Sequence, residues 1–384
     1  MASVKAAFMT STAVTAIFVA SLWIPTLDNL FNIAPSLTGN EKSSLSQLPD
    51  LTLDRKSIVN FHNKFVKYFI DNFGFRNTLI RWNSLLKLKF LKVAQFPKVL
   101  VGKDEWLYLI KDDEGNNALD YFRAVRPFTS DREIAEWMQP LVQIKKYCDR
   151  KGIRFLLVFC PMKLRIYPEY VPRYLEPVRK TTRLDQILTY LNKHTGIDCI
   201  DLGGALLEAK KEYMVFLKHD VHWNAVGAFS GYRRIAGELA QFYPRLKPRP
   251  MTDYKMVAET IQGGDLASML GLKDRFSETI YLLKPKYPQR SMKIPQPYPL
   301  KSSRLTEVFE NADRSLPRAV VYHDSFCNFV KPFMAEHFSR MVCIQSYNRV
   351  DLSILDVEKP DIVIYEMAES FAQKSPAYVT PMNY

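Results

Sequence analysis

The sequence predicts an α/β fold in which helices cover both faces of a parallel sheet. Its 384 residues suffice for a sizeable core, and 47% hydrophobic with 24% charged residues is ordinary for a globular chain. No periodic repeat suggests a solenoid or a fibrous protein instead. From residue 98 onwards, short apolar runs typical of buried strands alternate with helical segments, and this order favours a parallel sheet. The predicted strands are 153–159, 197–202, 318–322, 341–344 and 361–365, and the predicted helices are 132–150, 182–194, 225–242 and 329–338.

The first element is an uncharged run of 22 residues from Ala6 to Leu27. About 20 apolar residues in a helix cross the hydrocarbon core of a bilayer, so the run predicts a transmembrane helix over 1–27. A cleaved signal peptide is the alternative, but its apolar region is usually about 7–15 residues, which favours an uncleaved signal anchor. Lys5 precedes the run and acidic residues follow it, beginning with Asp28. This asymmetry predicts a cytoplasmic N-terminus and an exported body.

Residues 28–97 predict a tether followed by two amphipathic helices. The stretch 28–54 is polar and contains Pro and Ser, which is typical of a tether. Apolar side chains then recur at helical spacing in two runs separated by Phe73-Gly74-Phe75. We expect these faces to pack in a core, with the membrane surface as the alternative. The apolar positions are Ile58, Phe61, Phe65 and Phe69 in the first helix and Leu79, Trp82, Leu86 and Phe90 in the second.

A hairpin-like turn at 102–104 opens the α/β domain, which we place at residues 98–384. In such sheets, functional side chains gather beyond the carboxyl ends of the strands. Asp220 and His222 stand in a loop directly before one helix, where a single turn can hold a carboxylate beside an imidazole. Ser325 follows the strand 318–322, at a turn that presents a hydroxyl next to backbone N–H groups. Together the two loops supply an acid, a base and a nucleophile for acyl transfer.

Each loop also has an ordinary structural explanation. A D-x-H pair is common in solvated turns, and Asp324 or Ser325 could simply cap the helix that follows. His219 and His323 lie within the same two motifs as His222. The sequence alone therefore leaves the identity of the base open among three histidines.

A series of short motifs runs in order over about residues 60–370 and resembles the alginate O-acetyltransferase family of exported, SGNH-hydrolase-like proteins. The resemblance implies an SGNH-hydrolase-like three-layer sheet over 98–384 and a catalytic triad of Asp220, His222 and Ser325. The acid–base pair then precedes the nucleophile, a permuted order relative to ordinary SGNH esterases. The glycine and G-x-N-D segment that complete the oxyanion hole of those esterases are not found, which leaves only the backbone around Ser325. The motifs are Asp71-Asn72-Phe73-Gly74-Phe75-Arg76, Val101-Gly102-Lys103-Asp104-Glu105-Trp106-Leu107-Tyr108, Pro161-x-Lys163, Tyr167-Pro168-Glu169, Asp220-x-His222-Trp223-Asn224-x-x-Gly227, Gly264-Asp265-Leu266 and His323-Asp324-Ser325-Phe326.

The resemblance implies an O-acetyltransferase that moves an acetyl group through an acetyl-serine onto hydroxyls of an exported, alginate-like exopolysaccharide. No metal or organic cofactor is expected. An exported enzyme has no access to cytosolic acetyl-CoA, so the resemblance also implies a polytopic membrane acyltransferase as acetyl donor. The expected location is the bacterial inner membrane, single-pass, with the catalytic domain in the periplasm. Two alternatives stay open: a polysaccharide acetyl esterase and an inactive carbohydrate-binding scaffold.

The formal net charge of +13 is unevenly distributed along the chain. Between Lys273 and Arg304 there are eight Lys and Arg against two acidic residues, together with five prolines. We expect Lys284, Lys286 and Arg290 to bind the carboxylates of an acidic polysaccharide. A solvated loop and attraction to anionic lipid headgroups are the alternatives. Nucleic acid is not expected as a partner of an exported chain, despite a pI of about 9.3.

Overall fold

The computed structural model describes residues 2–31, 33, 46–50, 55–113, 115–296, 305–346, 349–375 and 377–379. The chain divides into two compact units. The first comprises Met1–Ala94 together with Ala267–Phe276, and the second comprises Gln95–Leu266 together with Ser277–Tyr384. The division falls near residue 97, and the first unit also includes a segment from much later in the chain.

The described residues of the first unit include the helices α1 (Ala2–Phe31), α2 (Arg55–Asp71) and α3 (Arg76–Lys89). The turn between α2 and α3 is fixed by contacts to the end of α1. The Phe75 backbone N–H donates to Asp28 Oδ2 over 2.6 Å. A Cβ on Gly74 would lie 2.0 Å from the Pro25 carbonyl oxygen, so only glycine fits there. These contacts explain the local role of the Asp71–Arg76 motif.

The uncharged N-terminal run is helical, as predicted, but α1 continues to Phe31. In the part of the chain that the structure describes, no helix is both long and apolar enough to cross a membrane. The predicted transmembrane helix is therefore not supported. Five hydroxyl side chains between Thr10 and Ser21 lower the mean hydropathy of the run. The predicted tether at 28–54 lies largely outside the described residues.

The apolar faces of α2 and α3 are exposed. Phe69, Trp82 and Phe90 retain 54%, 67% and 76% of their accessible surface. The expectation that these faces pack in a core is wrong for these side chains. A unit of this size buries a smaller share of its surface than a large domain does, so part of each amphipathic face stays outside.

The second unit is built on a seven-stranded sheet and three two-stranded pairs. The strands are β1 (Val99–Val101), β2 (Leu107–Leu109), β3 (Arg154–Cys160), β4 (Asp198–Asp201), β5 (Tyr254–Gln262), β6 (Ser277–Pro285), β7 (Ser291–Ile294), β8 (Leu305–Asn311), β9 (Arg318–His323), β10 (Arg340–Gln345), β11 (Arg349–Asp351), β12 (Ile362–Ala368) and β13 (Ala377–Val379).

The main sheet has the strand order β4-β3-β12-β9-β10-β8-β7. The first five strands are parallel, as predicted, and β3, β9 and β12 are buried almost throughout, so both faces of the sheet's centre are covered. The expectation of a wholly parallel sheet is wrong at one edge, where β8 and β7 run antiparallel. Only six residues separate β8 from β9, too few for the crossover of about a dozen residues that a parallel arrangement needs. The sheet is therefore mixed.

The predicted helices are present within a few residues of their expected bounds, except that 329–338 is made of short helical turns. The hairpin of β1 and β2 is also confirmed. The helices that follow α3 are α4 (Ala118–Phe122), α5 (Asp131–Arg150), α6 (Lys163–Ile166), α7 (Arg183–His194), α8 (Gly203–Ala209), α9 (Ala225–Leu239), α10 (Asp265–Met269), α11 (Lys331–Met334) and α12 (Ser353–Glu358).

Candidate active site

The loop between α8 and α9 is folded back on itself. The backbone N–H of Leu217 donates to the His222 carbonyl, and that of Asn224 donates to the Val215 carbonyl, each over 3.1 Å. The Asn224 side chain then caps α9 by accepting from the Gly227 N–H at 3.0 Å. A Cβ on Gly227 would lie 2.1 Å from the Val215 oxygen, so this position requires glycine. The tight loop carries the predicted acid and base.

Ser325 lies where β9 ends. It is the first residue of a 3-10 turn, Ser325–Phe329, and Asp324 before it accepts a hydrogen bond from the Phe326 N–H at 2.8 Å. The chain thus turns sharply at the carboxyl edge of the sheet. Ser325 is half-buried, so its hydroxyl remains open to a substrate.

The structure brings the three predicted side chains together. Asp220 Oδ1 lies 2.8 Å from His222 Nδ1, and His222 Nε2 lies 2.8 Å from Ser325 Oγ. Asp220 and His222 are buried. The imidazole packs against the rings of Phe326 and Phe329, with centroids 5.1 and 5.5 Å away, and these contacts fix its plane. This arrangement allows His222 to take a proton from Ser325 while Asp220 stabilises the imidazolium.

The Asp220 carboxylate is held by backbone donors as well. Its Oδ1 accepts from the His222 N–H at 3.0 Å, and its Oδ2 accepts from the Asp265 N–H at 2.8 Å. A Cβ on Gly264 would lie 2.1 Å from Oδ2, which explains the glycine of the Gly264-Asp265-Leu266 motif. Burial alone raises the pKa of Asp220, but the hydrogen bonds and the charge of His222 outweigh it and lower that pKa well below its usual value. Asp220 is therefore ionised in the folded protein.

The other two histidines of these motifs interact with different groups. His219 Nδ1 lies 3.3 Å from Glu278 Oε1, and that carboxylate also accepts the backbone N–H of His219 at 3.0 Å. His323 is buried and its Nδ1 donates to the Asp324 carbonyl at 2.6 Å. Burial lowers the pKa of His323 to about 3, so its ring is neutral. Of the three histidines, it is the ring of His222 that the described structure places within hydrogen-bonding distance of Ser325 Oγ.

Lys163 has a role that sequence reasoning missed. Its buried Nζ donates to the carbonyl oxygens of Leu217, Lys218 and Asp220, at 2.9, 3.0 and 2.5 Å. One ammonium group thereby satisfies three backbone acceptors of the loop that carries Asp220 and His222. Burial lowers the pKa of Lys163 to about 7, against the opposing charges of Asp220 and Glu278. The Pro161-x-Lys163 motif was the signal for this contact.

Two buried carboxyl groups, those of Asp324 and Glu366, connect the loop of Ser325 to strand β12. Asp324 Oδ2 accepts from the Ala368 N–H at 2.6 Å, and Glu366 Oε2 accepts from the Asp324 N–H at 3.1 Å. The Cys160 thiol donates to Glu366 Oε1 at 2.8 Å. Burial raises the pKa of both carboxyl groups. The sequence signal was an acidic residue inside the otherwise apolar strand β12.

Of the backbone N–H groups at this turn, those of Asp324 and Phe326 are already used, by Glu366 and Asp324 respectively. The N–H of Ser325 donates to no acceptor within the described ranges. It points from the first position of a 3-10 turn, where helix geometry leaves N–H groups without an internal partner. Of these three amides, that of Ser325 is therefore the one that can donate a hydrogen bond to an oxyanion.

Two groups of described side chains place three metal-ligand atoms within 4.8 Å of one another. One is Asp220, His222 and Asp265, and the other is His323, Cys327 and Glu366. In the first group both ring nitrogens of His222 are engaged, by Asp220 and by Ser325. A metal ion there would displace one of these hydrogen bonds, so the geometry favours proton transfer at His222.

The three predicted substrate-binding residues lie in different surroundings. Lys284 is exposed on β6, opposite Lys255 of β5. Lys286 Nζ donates to the Thr252 carbonyl at 3.0 Å. Arg290 is exposed beside a cavity that other segments also line. Residues 297–304 of the basic stretch lie outside the described residues. Substrate binding by these three side chains stays a prediction.

Residues 99–310 match the model of the family described as SGNH hydrolase-like domain, acetyltransferase AlgX. The match covers more than half of the chain. The chain belongs to this family. The resemblance predicted from the ordered motifs is thus confirmed, and the second unit has an SGNH hydrolase-like α/β fold with a mixed sheet. The matched region includes Asp220 and His222 but ends before Ser325, which the fold brings to them.

Curated relatives include the probable alginate O-acetylase AlgJ of Pseudomonas aeruginosa, 29% identical over 184 residues, and that of Azotobacter vinelandii, 28% identical over 189 residues. Each match covers 48% of this chain and 44% of the relative. The chain therefore spans less than half the length of the curated relatives it matches.

Two solved structures share the fold. PatB1 of Bacillus cereus has a TM-score of 0.52 at 18% identity, over 71% of this chain and 96% of PatB1. A DHHW family protein from Eubacterium siraeum has a TM-score of 0.50 at 16% identity, over 74% of this chain and 97% of that protein. At these identities the likeness concerns the fold alone.

We predict that Asp220→Asn lowers the melting temperature at neutral pH. The difference in melting temperature between this variant and wild type should become smaller as the pH falls. The lowered pKa of Asp220 means that the folded state favours the ionised carboxylate more than the unfolded chain does. This contribution is fully present above the unfolded pKa of about 4 and is lost as the pH falls through the lowered value. Thermal unfolding at several pH values between about 7 and 3 measures it. Asp104→Asn, at an exposed carboxylate, is the control; a difference between Asp220→Asn and wild type that does not change with pH contradicts the assignment.

We predict that Lys163→Met lowers the free energy of unfolding by about 2–4 kcal/mol, because unpaired buried carbonyls cost about 1–3 kcal/mol each and loss of a buried charge offsets part of that cost. The backbone amides of Leu217 and His222 should also exchange hydrogen faster in this variant than in wild type, whereas the amides of β10 should change less. Urea denaturation and hydrogen exchange measure the two effects.

The matched control is Lys210→Met, because Lys210 is half-buried and donates to the Ile166 carbonyl and to Glu169, outside the loop. It should leave the exchange of Leu217 and His222 unchanged. Equal exchange rates in the two variants would show that Lys163 does not hold the loop.

Proposed function

We propose that this chain is a polysaccharide O-acetyltransferase that works through an acetyl-Ser325 intermediate. The observation that carries the proposal is the continuous hydrogen-bonded chain from Asp220 through His222 to the half-exposed hydroxyl of Ser325. It occurs in a member of the AlgX acetyltransferase family. An acid, a base and a nucleophile in this order are the parts needed for acyl transfer.

In the first half of the reaction, His222 Nε2 accepts the Ser325 proton as Oγ attacks the carbonyl carbon of the acetyl donor. The carbonyl oxygen becomes an oxyanion, and the Ser325 N–H is placed to donate to it. Collapse of the tetrahedral intermediate breaks the bond to the donor's leaving group, which takes the proton from His222. Ser325 then carries the acetyl group as an ester.

In the second half, a sugar hydroxyl takes the place of the leaving group. His222 accepts the proton of this hydroxyl as its oxygen attacks the acetyl-Ser325 carbonyl. Collapse of the second intermediate releases the acetylated sugar and returns the proton from His222 to Ser325 Oγ. Asp220 stays ionised throughout and stabilises the imidazolium in both halves.

The proposed acceptor is an alginate-like exopolysaccharide, because the curated relatives are named probable alginate O-acetylases. The proposed acetyl donor is a polytopic membrane acyltransferase, because an enzyme outside the cytoplasm needs an acetyl group delivered across the membrane. We place the catalytic unit in the periplasm at the bacterial inner membrane. The uncharged run from Ala6 to Leu27 supports this location as an export signal, whether or not it is retained.

We predict that Ser325→Ala remains folded and loses acetyl transfer by at least about a thousandfold. The purified chain is incubated with a small activated acetyl ester as surrogate donor and an acidic oligosaccharide as acceptor. Mass spectrometry then follows acetyl on the protein and on the sugar. His222→Ala should lose activity to a similar extent, whereas His219→Ala, whose ring lies at Glu278, should lose much less. Equal losses for the two histidine variants would mean that the base is misassigned.

The same experiment separates the competing functions. Acetylated sugar indicates a transferase, and free acetate alone indicates an esterase, because water then attacks the acetyl-enzyme. If wild-type protein gives neither an acetyl adduct on Ser325 nor a product, the chain is a scaffold and the proposal fails.

We predict that a reporter active only outside the cytoplasm is active when fused after residue 40. A charge-poor apolar run with one preceding lysine directs the following chain across the membrane. Replacing Ala16 and Val19 with Arg should abolish reporter activity, since charges interrupt the run. The proposed location is wrong if this reporter is inactive while a second reporter, active only in the cytoplasm, is active at the same fusion point.

A further inference from the structure

A cavity lies in the α/β unit, at the end of β9 opposite to Ser325. Its volume of about 380 Å³ is within the range of small-molecule sites. The six residues of β9 separate it from the nucleophile by about 20 Å at 3.3 Å per residue. Four basic residues from two separate segments line it: Arg245, Lys247, Arg249 and Arg290.

The carboxylates of this cavity already have donors of their own. Glu336 accepts the backbone N–H groups of Arg290 and Ser291, at 3.1 and 3.0 Å, and the Ser291 hydroxyl at 2.6 Å. Asp313 accepts the N–H of Ser315 at 3.0 Å and its hydroxyl. The third carboxylate, Asp253, pairs with Arg249 at 3.4 Å.

The basic side chains are satisfied less completely. The charged groups of Lys247 and Arg290 make no hydrogen bond or ion pair with any residue that the structure describes, and both residues are exposed. Arg245 reaches the Ser315 hydroxyl but stays 4.0 Å from Asp313. Arg249 is stacked on Tyr287, 3.8 Å from the ring centroid. Lys247, Arg290 and Arg245 therefore remain available to an external anion.

The walls of the cavity are fixed by polar contacts. The Tyr232 hydroxyl accepts the Arg249 N–H at 2.8 Å and lies 2.6 Å from His337 Nε2. The Asn311 side chain donates to the Glu336 carbonyl at 3.2 Å. Burial lowers the pKa of His337 to about 4, so this ring adds no charge. A site whose walls are already ordered loses little conformational freedom on binding.

We propose that this cavity binds the carboxylates of an acidic polysaccharide away from the active site, an inference that rests on the proposed function. Guanidinium groups pair with carboxylates through two parallel hydrogen bonds, and Arg245 and Arg290 are placed at the rim for this. A concave cavity admits a sugar residue, whereas the flat surface of a bilayer cannot enter it. A polymer held about 20 Å from Ser325 presents its other residues to the nucleophile at raised local concentration.

The test compares two double variants that each remove two positive charges. Lys247→Ala/Arg290→Ala alters the cavity, and Lys180→Ala/Lys193→Ala removes exposed lysines elsewhere in the same unit. The probe is a fluorescently labelled hexasaccharide of uronic acids, with a neutral hexasaccharide as reference. Fluorescence anisotropy should show about tenfold weaker binding and a flatter salt dependence for the cavity variant, and a change within about twofold for the control. Equal losses in both variants, or unchanged binding in the cavity variant, overturn the proposal.

Two further measurements separate this proposal from the proposed function and from lipid binding. Binding is also measured in the Ser325→Ala background, where no turnover is needed, so failure of acetyl transfer leaves this readout intact. In active protein, the cavity variant should raise KM for a long polymer and leave kcat unchanged. If the cavity variant keeps its affinity for the hexasaccharide but releases vesicles of anionic phospholipid, the cavity serves the membrane and the proposal is wrong.

Discussion

The hydrogen bond between His222 and Ser325 joins two loops, and the two residues are 103 positions apart in the chain. The surrounding residues of the candidate site hold the two loops at the distance that this hydrogen bond requires. One loop is fixed by the ammonium group of Lys163 and by the Asp265 N–H. The other is fixed by Glu366, which lies within β12. The two loops contain little regular structure beyond the 3-10 turn Ser325–Phe329, so their separation is set by these side chains and by the parallel strands beneath them.

Holding the loops in this way buries charged and polar groups at the edge of the sheet. Such groups are costly to bury unless every donor and acceptor is satisfied. Lys163 meets this condition with three carbonyl oxygens, and Asp220 meets it with two backbone N–H groups and an imidazole. The pKa of Asp220 is low because its hydrogen bonds and the charge of His222 outweigh its burial, whereas burial itself lowers the pKa of Lys163. The site thus contains buried polar groups in place of apolar packing, and their hydrogen bonds fix the positions of the proton donors and acceptors.

The antiparallel edge of the sheet also has a functional consequence. Because β8 runs opposite to β9, the turn between them lies at the end of β9 remote from Ser325. That turn and the segment that carries Glu336 form part of the wall of the cavity lined by Arg245, Lys247, Arg249 and Arg290. The candidate active site and the proposed polymer site therefore lie at the two ends of one strand. A long acidic substrate suits such a separation better than a small one does.

The sequence by itself determined the α/β class, most strands and helices, the family, and the two loops that meet at the site. Apolar runs and helical spacing are local patterns, and the motifs around Asp220 and Ser325 stand at strand and helix ends where a reader of the sequence can place them. The sequence did not decide which histidine lies beside Ser325, which groups Lys163 contacts, that β7 and β8 run antiparallel, or that Arg290 lines a cavity with distant residues. Each of these depends on which segments become neighbours after folding. Local periodicity records whether a side chain is buried but not what it is buried against, so only the tertiary structure could decide them.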